Sequence, residues 1–543
     1  MPIIGDSTIF CRRKTTYYSG AWLISPGSAR QVLPLSGLTL SSDLTIASYQ
    51  VDPHYSGSYV ITPSQTSQIL RTSGYIMDSD LTVEAISLGS DAMFKGLVDG
   101  TLSELNDYSG ALSGLISSNL FAQCEGLVSV SLPAATAVGS SAFASCISLD
   151  TVCLPSVTSL SPYAFANCGP LTNLSIPGVT SIASYVFMSG RIESVNLSQA
   201  TYIGSSAFLN CSLLSSVVLP LAETIAAYAF SGCTSLTYIC APHVKSIYGQ
   251  AFTNTGLRSV SFPAATSVGT AFSSCSMLTS VYLPLLSSVA AGTFFGCSRL
   301  VSVSMPGVLS VGATAFNYCS GLNYLELPLV ETIGERAFAF CSALQTISLP
   351  RVQTIGTSAF QGCHALQEVS FPLLQSLGSS AFASCAGLKT VTLPHVTSLG
   401  FWETFASCPS LETVVLPVLE TIPSSAFYGC TSLQSVSLPK AKTIRQRAFW
   451  SCHSLQAISL PEATTIDPLA FNYCYRLISV FLMGSSVCGV NGQVFGSTPI
   501  GGYSAVAGQY GSVYVPASLY QDYITNASWA SWSSRIVSLE VSA

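Results

Sequence analysis

Charge is what this chain has least of. Asp, Glu, Lys and Arg make up 8% of its 543 residues, the net charge is −6, and no run of either sign occurs. A nucleic-acid binder carries a basic patch interleaved with aromatics, and none is present, so no nucleic-acid partner is expected. Apolar residues reach 49%, yet no uninterrupted apolar run approaches the roughly 18–20 residues that cross a bilayer, and membrane insertion is not expected. Histidine is scarce: His54, His243, His364, His395 and His453 are scattered and read as surface residues. With no C-x-x-C and no Cys/His cluster at ligand spacing, neither a metal nor another cofactor is expected. G-x-S-x-G, H-E-x-x-H, a Walker loop and G-x-G-x-x-G are all missing. No catalytic residue is assigned, because catalysis needs convergent groups and nothing singles out a pair of carboxylates, although stacked coils can bring two together.

What fills the chain is a 22-residue unit, clearest as LQTISLPRVQTIGTSAFQGCHA from Leu344 to Ala365, recurring about seventeen times with its phenylalanine running from Phe121 to Phe471. A fixed short period marks a solenoid, in which one unit cannot bury its apolar face alone and stacked neighbours share a core. Leu344, Ile347 and Leu349 are spaced so that, in a strand, Ile347 and Leu349 point one way and Thr346 and Ser348 the other. Pro350 has no N–H for a ladder and ends the strand. Gly356 is expected to turn the chain at positive φ, while Val352, Ile355, Ala359, Phe360 and Cys363 complete the inward set. Helical pairs are the competing arrangement, but a Pro and usually a Gly in each copy leave no apolar 3.6-residue period long enough. The expected class is a mainly β solenoid.

The string L-x-x-V-x-L-P-x-x-x-x-I-G-x-x-A-F-x-x-C-x-x resembles the leucine-rich repeats of the BspA type. The resemblance implies a leucine-rich repeat array of about 17 copies of 22 residues, with a small N-terminal β module and α/β caps; a parallel β-helix is the alternative. It also implies a non-catalytic role, since members of that family resemble adhesins and other surface-binding proteins, and such arrays also occur in tail proteins of bacterial viruses.

Fifteen of the nineteen cysteines share one repeat position, from Cys124 to Cys474, and Cys11, Cys153, Cys240 and Cys488 lie outside it. Stacking would set consecutive Cβ vectors side by side, which does not suit a disulfide dihedral. The expectation is a ladder of buried free thiols acting as small apolar groups, completed in a reducing compartment.

Four segments follow. Residues 1–88 form an N-terminal β module, 89–110 the N-terminal cap of the array, 111–485 the leucine-rich repeat solenoid and 486–543 a C-terminal cap. In the first, QVLPLSGLTLSSDLTI (31–46) aligns with QILRTSGYIMDSDLTV (68–83) at an offset of 37, matching Gln31 with Gln68, Gly37 with Gly74 and Asp43 with Asp80. The stretch YSGSYVITPSQTSQILRTSGYIMDSDLTVEAI resembles a module of tail-associated proteins of bacterial viruses. Ser90 and Asp91 are placed to cap a short helix carrying Met93, Phe94, Leu97 and Val98, ended by Gly100. The tail after Leu482 reads as strand, helix and strand, and resembles the ending of phage-encoded repeat proteins. The first twenty residues show no apolar core of a secretory signal, so the expectation is a virion (tail) protein assembled in the cytoplasm; a bacterial surface or secreted location is the alternative.

The leading functional expectation is a phage or prophage tail-associated adhesion protein contacting the host cell surface. A bacterial cell-surface adhesin and a carbohydrate-cleaving enzyme on a β-solenoid are the alternatives. The partner is expected to be a host or bacterial surface glycan or protein, with other tail proteins reached through the N-terminal module. Binding is assigned to outward strand residues where Ser and Thr give way to Tyr238, Tyr282, Tyr324, Glu326 and Glu368, read as a row of aromatic platforms with carboxylates at one end.

Overall fold

The computed structural model describes residues 114–125, 127–503 and 510–540, with the backbone of eight short strands between residues 22 and 88. The chain divides into two units, residues 1–257 and 258–543. In both, each repeat makes one coil of a parallel β-solenoid.

A coil carries two strands. In the Leu344–Ala365 copy these are Thr346–Ser348 and Thr354–Ile355; the second is too short to show alternation in sequence. Neighbouring coils pair in parallel one period apart, with Tyr324, Leu325 and Glu326 opposite Thr346, Ile347 and Ser348, and Ile333 opposite Ile355.

In the first unit the second-strand ladder runs without a break from Gly114–Ile116 to Ser246–Ile247. The first-strand ladder stops at Asn173–Ser175 and resumes at Ser194–Asn196. The gap flanks Phe187, whose copy is one residue short, and the second strand absorbs the deletion by setting Ser181 opposite Tyr202. In the second unit the second-strand ladder breaks between Ser398–Leu399 and Thr421–Ile422. That is the long copy carrying Trp402, where a lone bridge to Ser424 remains.

The core of each unit is a column of identical residues. The phenylalanine rings stack at 4.8–5.7 Å with planes within 18° in the first unit. From Phe272 to Phe495 in the second they stack at 5.1–5.8 Å and within 19°. Leu344, Leu349, Val352, Ile355, Ala359, Phe360 and Cys363 are all buried, whereas Ile347 is partly exposed.

The turn around the phenylalanine works differently from the sequence expectation. Positive φ falls two residues before it, at Ser358 (φ 53°), and two after, at Gly362 (φ 73°), and not at Gly356. Gly356 is needed for a different reason: a Cβ there would lie 2.8 Å from the backbone nitrogen of Glu335 and 2.8 Å from the carbonyl carbon of Gly334 in the preceding coil. The left-handed residues aim alternate N–H groups along the stack. Ser358, Phe360 and Gly362 N–H donate to the carbonyls of Ser379, Ala381 and Ala383 at 2.9, 2.8 and 2.9 Å.

The thiols complete this network. The Phe360 carbonyl accepts the Cys363 N–H at 3.2 Å and the Cys385 Sγ–H of the next coil at 3.1 Å. Every ladder cysteine from Cys146 to Cys474 is free, but Cys124 is disulfide-bonded, so the all-thiol expectation fails at the first rung. Cysteine suits the position because it is small and apolar yet still donates weakly.

At the C-terminal end, strand Ser512–Pro516 pairs in parallel with Ser479–Phe481, and strand Ile536–Leu539 pairs with it in turn. Between them lie the helix Tyr520–Thr525 and the 3-10 turns Ala527–Arg535. Buried Trp529 and Trp532 meet Phe495 at 6.3 and 5.4 Å, so the phenylalanine column ends against indole.

Near the N-terminus the two copies of the 37-residue repeat form equivalent antiparallel pairs. Val32 lies opposite Thr39 and Leu33 opposite Leu38, and at the same offset Ile69 lies opposite Ile76 and Leu70 opposite Tyr75. Gly57–Thr62 pairs with Thr82–Leu88. The cap expected over residues 89–110 lies outside the described residues.

Candidate binding surfaces

Outward residues of the first strand are its first and third, flanking a central apolar one. Most of these positions carry Ser or Thr, and in some coils both do, as in Ser259–Ser261 and Thr390–Thr392. Short hydroxyl side chains in register make a low polar surface, and a larger residue projects above it.

Tyr238 belongs to the first unit, exposed opposite Ser216. The other four candidates belong to the second. Tyr282 is exposed between Ser261 and Ser304. Tyr324 donates its hydroxyl to Glu326 Oε2 at 3.1 Å, and this bond, with the carboxylate's charge adding to it, pushes the phenol up from its ordinary value. A hydrogen bond with Cys240 likewise raises Tyr238. Glu368 is exposed opposite Thr390. Tyr324 and Glu368 take the first position of their strands, and Tyr282 and Glu326 the third. The four therefore lie on two lines, one on either side of the buried residue.

A denser group, absent from the sequence reading, lies on the turns of the second unit. Tyr428 stacks on Trp450 at 6.4 Å, Trp450 meets Tyr473 at 4.9 Å, Tyr473 meets Tyr475 at 6.1 Å, and Tyr475 meets Tyr503 at 5.4 Å. His453 lies 4.8 Å from Tyr475, and the Arg447 guanidinium sits 5.3 Å from the Trp450 ring centroid. Beyond the first pair the rings meet at 57°, 77° and 49°, unlike the parallel core column. Because they occupy offsets +1, +2, +4 and +8 from the phenylalanine in different copies, no single period betrays them. Aligning the copies in register and reading the turn columns would have done so.

Among the described residues no group of His, Cys, Asp and Glu is placed to hold a metal, and no helix is long and apolar enough to cross a membrane. His364 Nδ1 lies 2.9 Å from the Ser384 carbonyl. Burial pushes the Cys146, Cys363 and Cys488 thiols up to about 12, which removes them as nucleophiles at neutral pH.

A stack of two-stranded parallel coils with an outward hydroxyl face defines a leucine-rich repeat solenoid. The chain belongs to the BspA type leucine-rich repeat family, whose six-copy region matches residues 114–224, 201–323, 287–402 and 401–504. Among solved structures it is similar to a leucine-rich repeat protein from Bacteroides ovatus, at 21% identity over 76% of this chain and 92% of that one, with a TM-score of 0.47. A leucine-rich cell surface protein from Faecalibacterium prausnitzii is 24% identical over 71% of this chain and 94% of the other, with a TM-score of 0.34. No curated protein sequence matches the chain.

Proposed function

We propose that this protein is a non-catalytic binding protein that contacts a bacterial cell surface through its solenoid, as a tail-associated adhesion protein of a phage or prophage. The observation that carries the binding role is the strand face of the second unit. There Tyr282, Tyr324 and Glu326 project from rows of serine and threonine with no structural duty of their own, since neighbouring coils fold with Ser or Thr at the same positions. Exposed tyrosines on a rigid scaffold present contact area at low entropic cost.

The tail association is supported by the N-terminal segment, where the 37-residue repeat yields two equivalent strand pairs in a stretch resembling a phage tail module. That module is the proposed attachment to other tail proteins, and the virion the proposed location. Replacing Tyr282 and Tyr324 by Ser should leave the thermal midpoint unchanged and weaken binding of the labelled full chain to host cells. Undiminished binding would remove the strand face as the site. Mass spectrometry of particles induced from the source strain tests the tail role, and absence of the chain from those particles would return the reading to a cell-surface adhesin.

A further inference from the structure

The ring cluster on the turns of the second unit has no part in the fold's own design. The column of core phenylalanines is already complete beneath it, and other copies fold with Ser where Tyr473 stands, at the same left-handed φ: Ser384 at 61°, Ser407 at 58° and Ser451 at 60°, against 62° for Tyr473. Tyr428, Tyr473 and Tyr503 are nonetheless exposed.

The charge beside these rings is positive in a chain whose net charge is −6. Arg447 lies against Trp450, and Arg476, which is exposed, follows Tyr475 in the chain. Neither makes an ion pair among the described residues, whereas Lys442, Lys440 and Arg445 of the same coils are each paired with a carboxylate, on Glu420, Glu462 and Asp467. Unpaired guanidinium groups beside tilted aromatic faces suit a ligand with apolar C–H faces for the rings and carboxylates for the arginines. Pyranose rings of an acidic polysaccharide supply both, repeated along a chain.

We infer that Tyr428, Trp450, Tyr473, Tyr475, Arg447 and Arg476 form a binding site for a uronate-bearing polysaccharide, separate from the strand face. The inference rests on the reading of the chain as a binding protein and names a ligand class for a second surface of it.

Polygalacturonate is the probe, with its methyl ester and dextran as neutral controls, titrated calorimetrically into the full chain. The wild type should bind polygalacturonate, lose affinity as salt rises, and bind the controls at least about tenfold more weakly. The test variant is Arg447→Gln, Tyr473→Ser, Arg476→Ser. Each replacement is already accommodated at the same repeat position, by Gln250 (φ 59°), Ser451 and Ser454, so its thermal midpoint should match the wild type while its affinity falls by about tenfold or more. Tyr282→Ser with Tyr324→Ser should bind polygalacturonate as the wild type does. No binding by the wild type, equal binding of the neutral controls, or an unaffected triple variant would each overturn the site. Self-association in sedimentation that the triple variant abolishes, without polysaccharide binding, would overturn it in favour of a second copy as occupant. Any of these results with host-cell binding intact leaves the adhesion reading standing, and loss of cell binding by the wild type removes that reading instead.

Discussion

Trp529 Nε1 donates to the Cys488 carbonyl at 2.7 Å, while the Cys488 N–H donates to Tyr523 Oη at 2.9 Å. Both polar groups of one buried peptide residue are thus satisfied by aromatic side chains of the terminal segment, which fixes that segment over the last coil. Trp529→Phe keeps a ring against Phe495 but leaves the Cys488 carbonyl without its donor, a cost of about 1–3 kcal/mol. Trp529→Ala opens a cavity as well and should cost about 3–5 kcal/mol. Hydrogen exchange should show the loss in the coils nearest residue 495 and little in coils before residue 400, because a solenoid transmits stability mainly through adjacent coils.

The thiol ladder predicts an alkaline weakness. Burial holds the Cys146 and Cys363 thiols at about 12 against an ordinary value of 9.0, and it raises the Tyr523 phenol from 10.0 to about 12. Between those limits the unfolded chain binds fewer protons than the folded one, so stability is fully present below pH 9 and falls as pH rises toward 12. Urea midpoints should be level from pH 7 to 8.5 and decline above it. At pH 8 a thiol reagent should label the ladder cysteines from Cys146 to Cys474 only after denaturant is added, whatever happens at the half-buried Cys153 and Cys240 off the ladder, and rapid native labelling of the ladder positions would contradict their burial.

Glycine and serine in the turn should respond in opposite directions. Gly356→Ala drives a methyl group into the backbone of Gly334 and Glu335 and should cost about 1–3 kcal/mol. Ser358→Gly relieves a left-handed residue, worth about 1–2 kcal/mol, against a loss of about 0.5–1 kcal/mol in chain entropy. It should therefore be neutral or slightly stabilising in urea unfolding. A stabilising Gly356→Ala would show that close approach is not what selects glycine there.

Tyr324 offers a local test of the strand face. Its bond to Glu326 and the adjacent negative charge disfavour the phenolate, so Glu326→Gln should lower the Tyr324 titration midpoint toward its ordinary value. NMR of ring-labelled tyrosine across pH 8.5–11 would follow it, and an unchanged midpoint would mean that the pair does not persist in solution.

The inward residues were legible in sequence because each sits at a fixed offset repeated over many copies: Leu344, Leu349, Val352, Ala359, Phe360 and Cys363 all face the core. The short copy at Phe187 and the long one at Trp402 were legible as irregularities, and both coincide with breaks in strand pairing. Backbone geometry was not. Gly356 looked like a turn glycine because glycine commonly marks positive φ, yet it is selected by the approach of a coil 22 residues away, and the left-handed positions carry Ser358, Tyr318 or Arg336 without any composition signal. The aromatic turn cluster escaped a reading along the chain for a related reason: Trp450 meets Tyr473, and Tyr475 meets Tyr503, only once the coils are stacked.

The one-way hydrogen bonding of Ser358, Phe360 and Gly362 to the next coil has a mechanical consequence. A coil is fastened to its neighbours by short rows of bonds and by ring stacking, and nearly every coil is the same length of thread. Tension applied along the chain should therefore peel an array from an end, one coil at a time. Each event pays out about 70 Å of slack, the reach of 22 extended residues. An array built this way lengthens in repeated steps at similar force, dissipating work as it does so, and optical-tweezer traces of the second unit should show a sawtooth of that spacing.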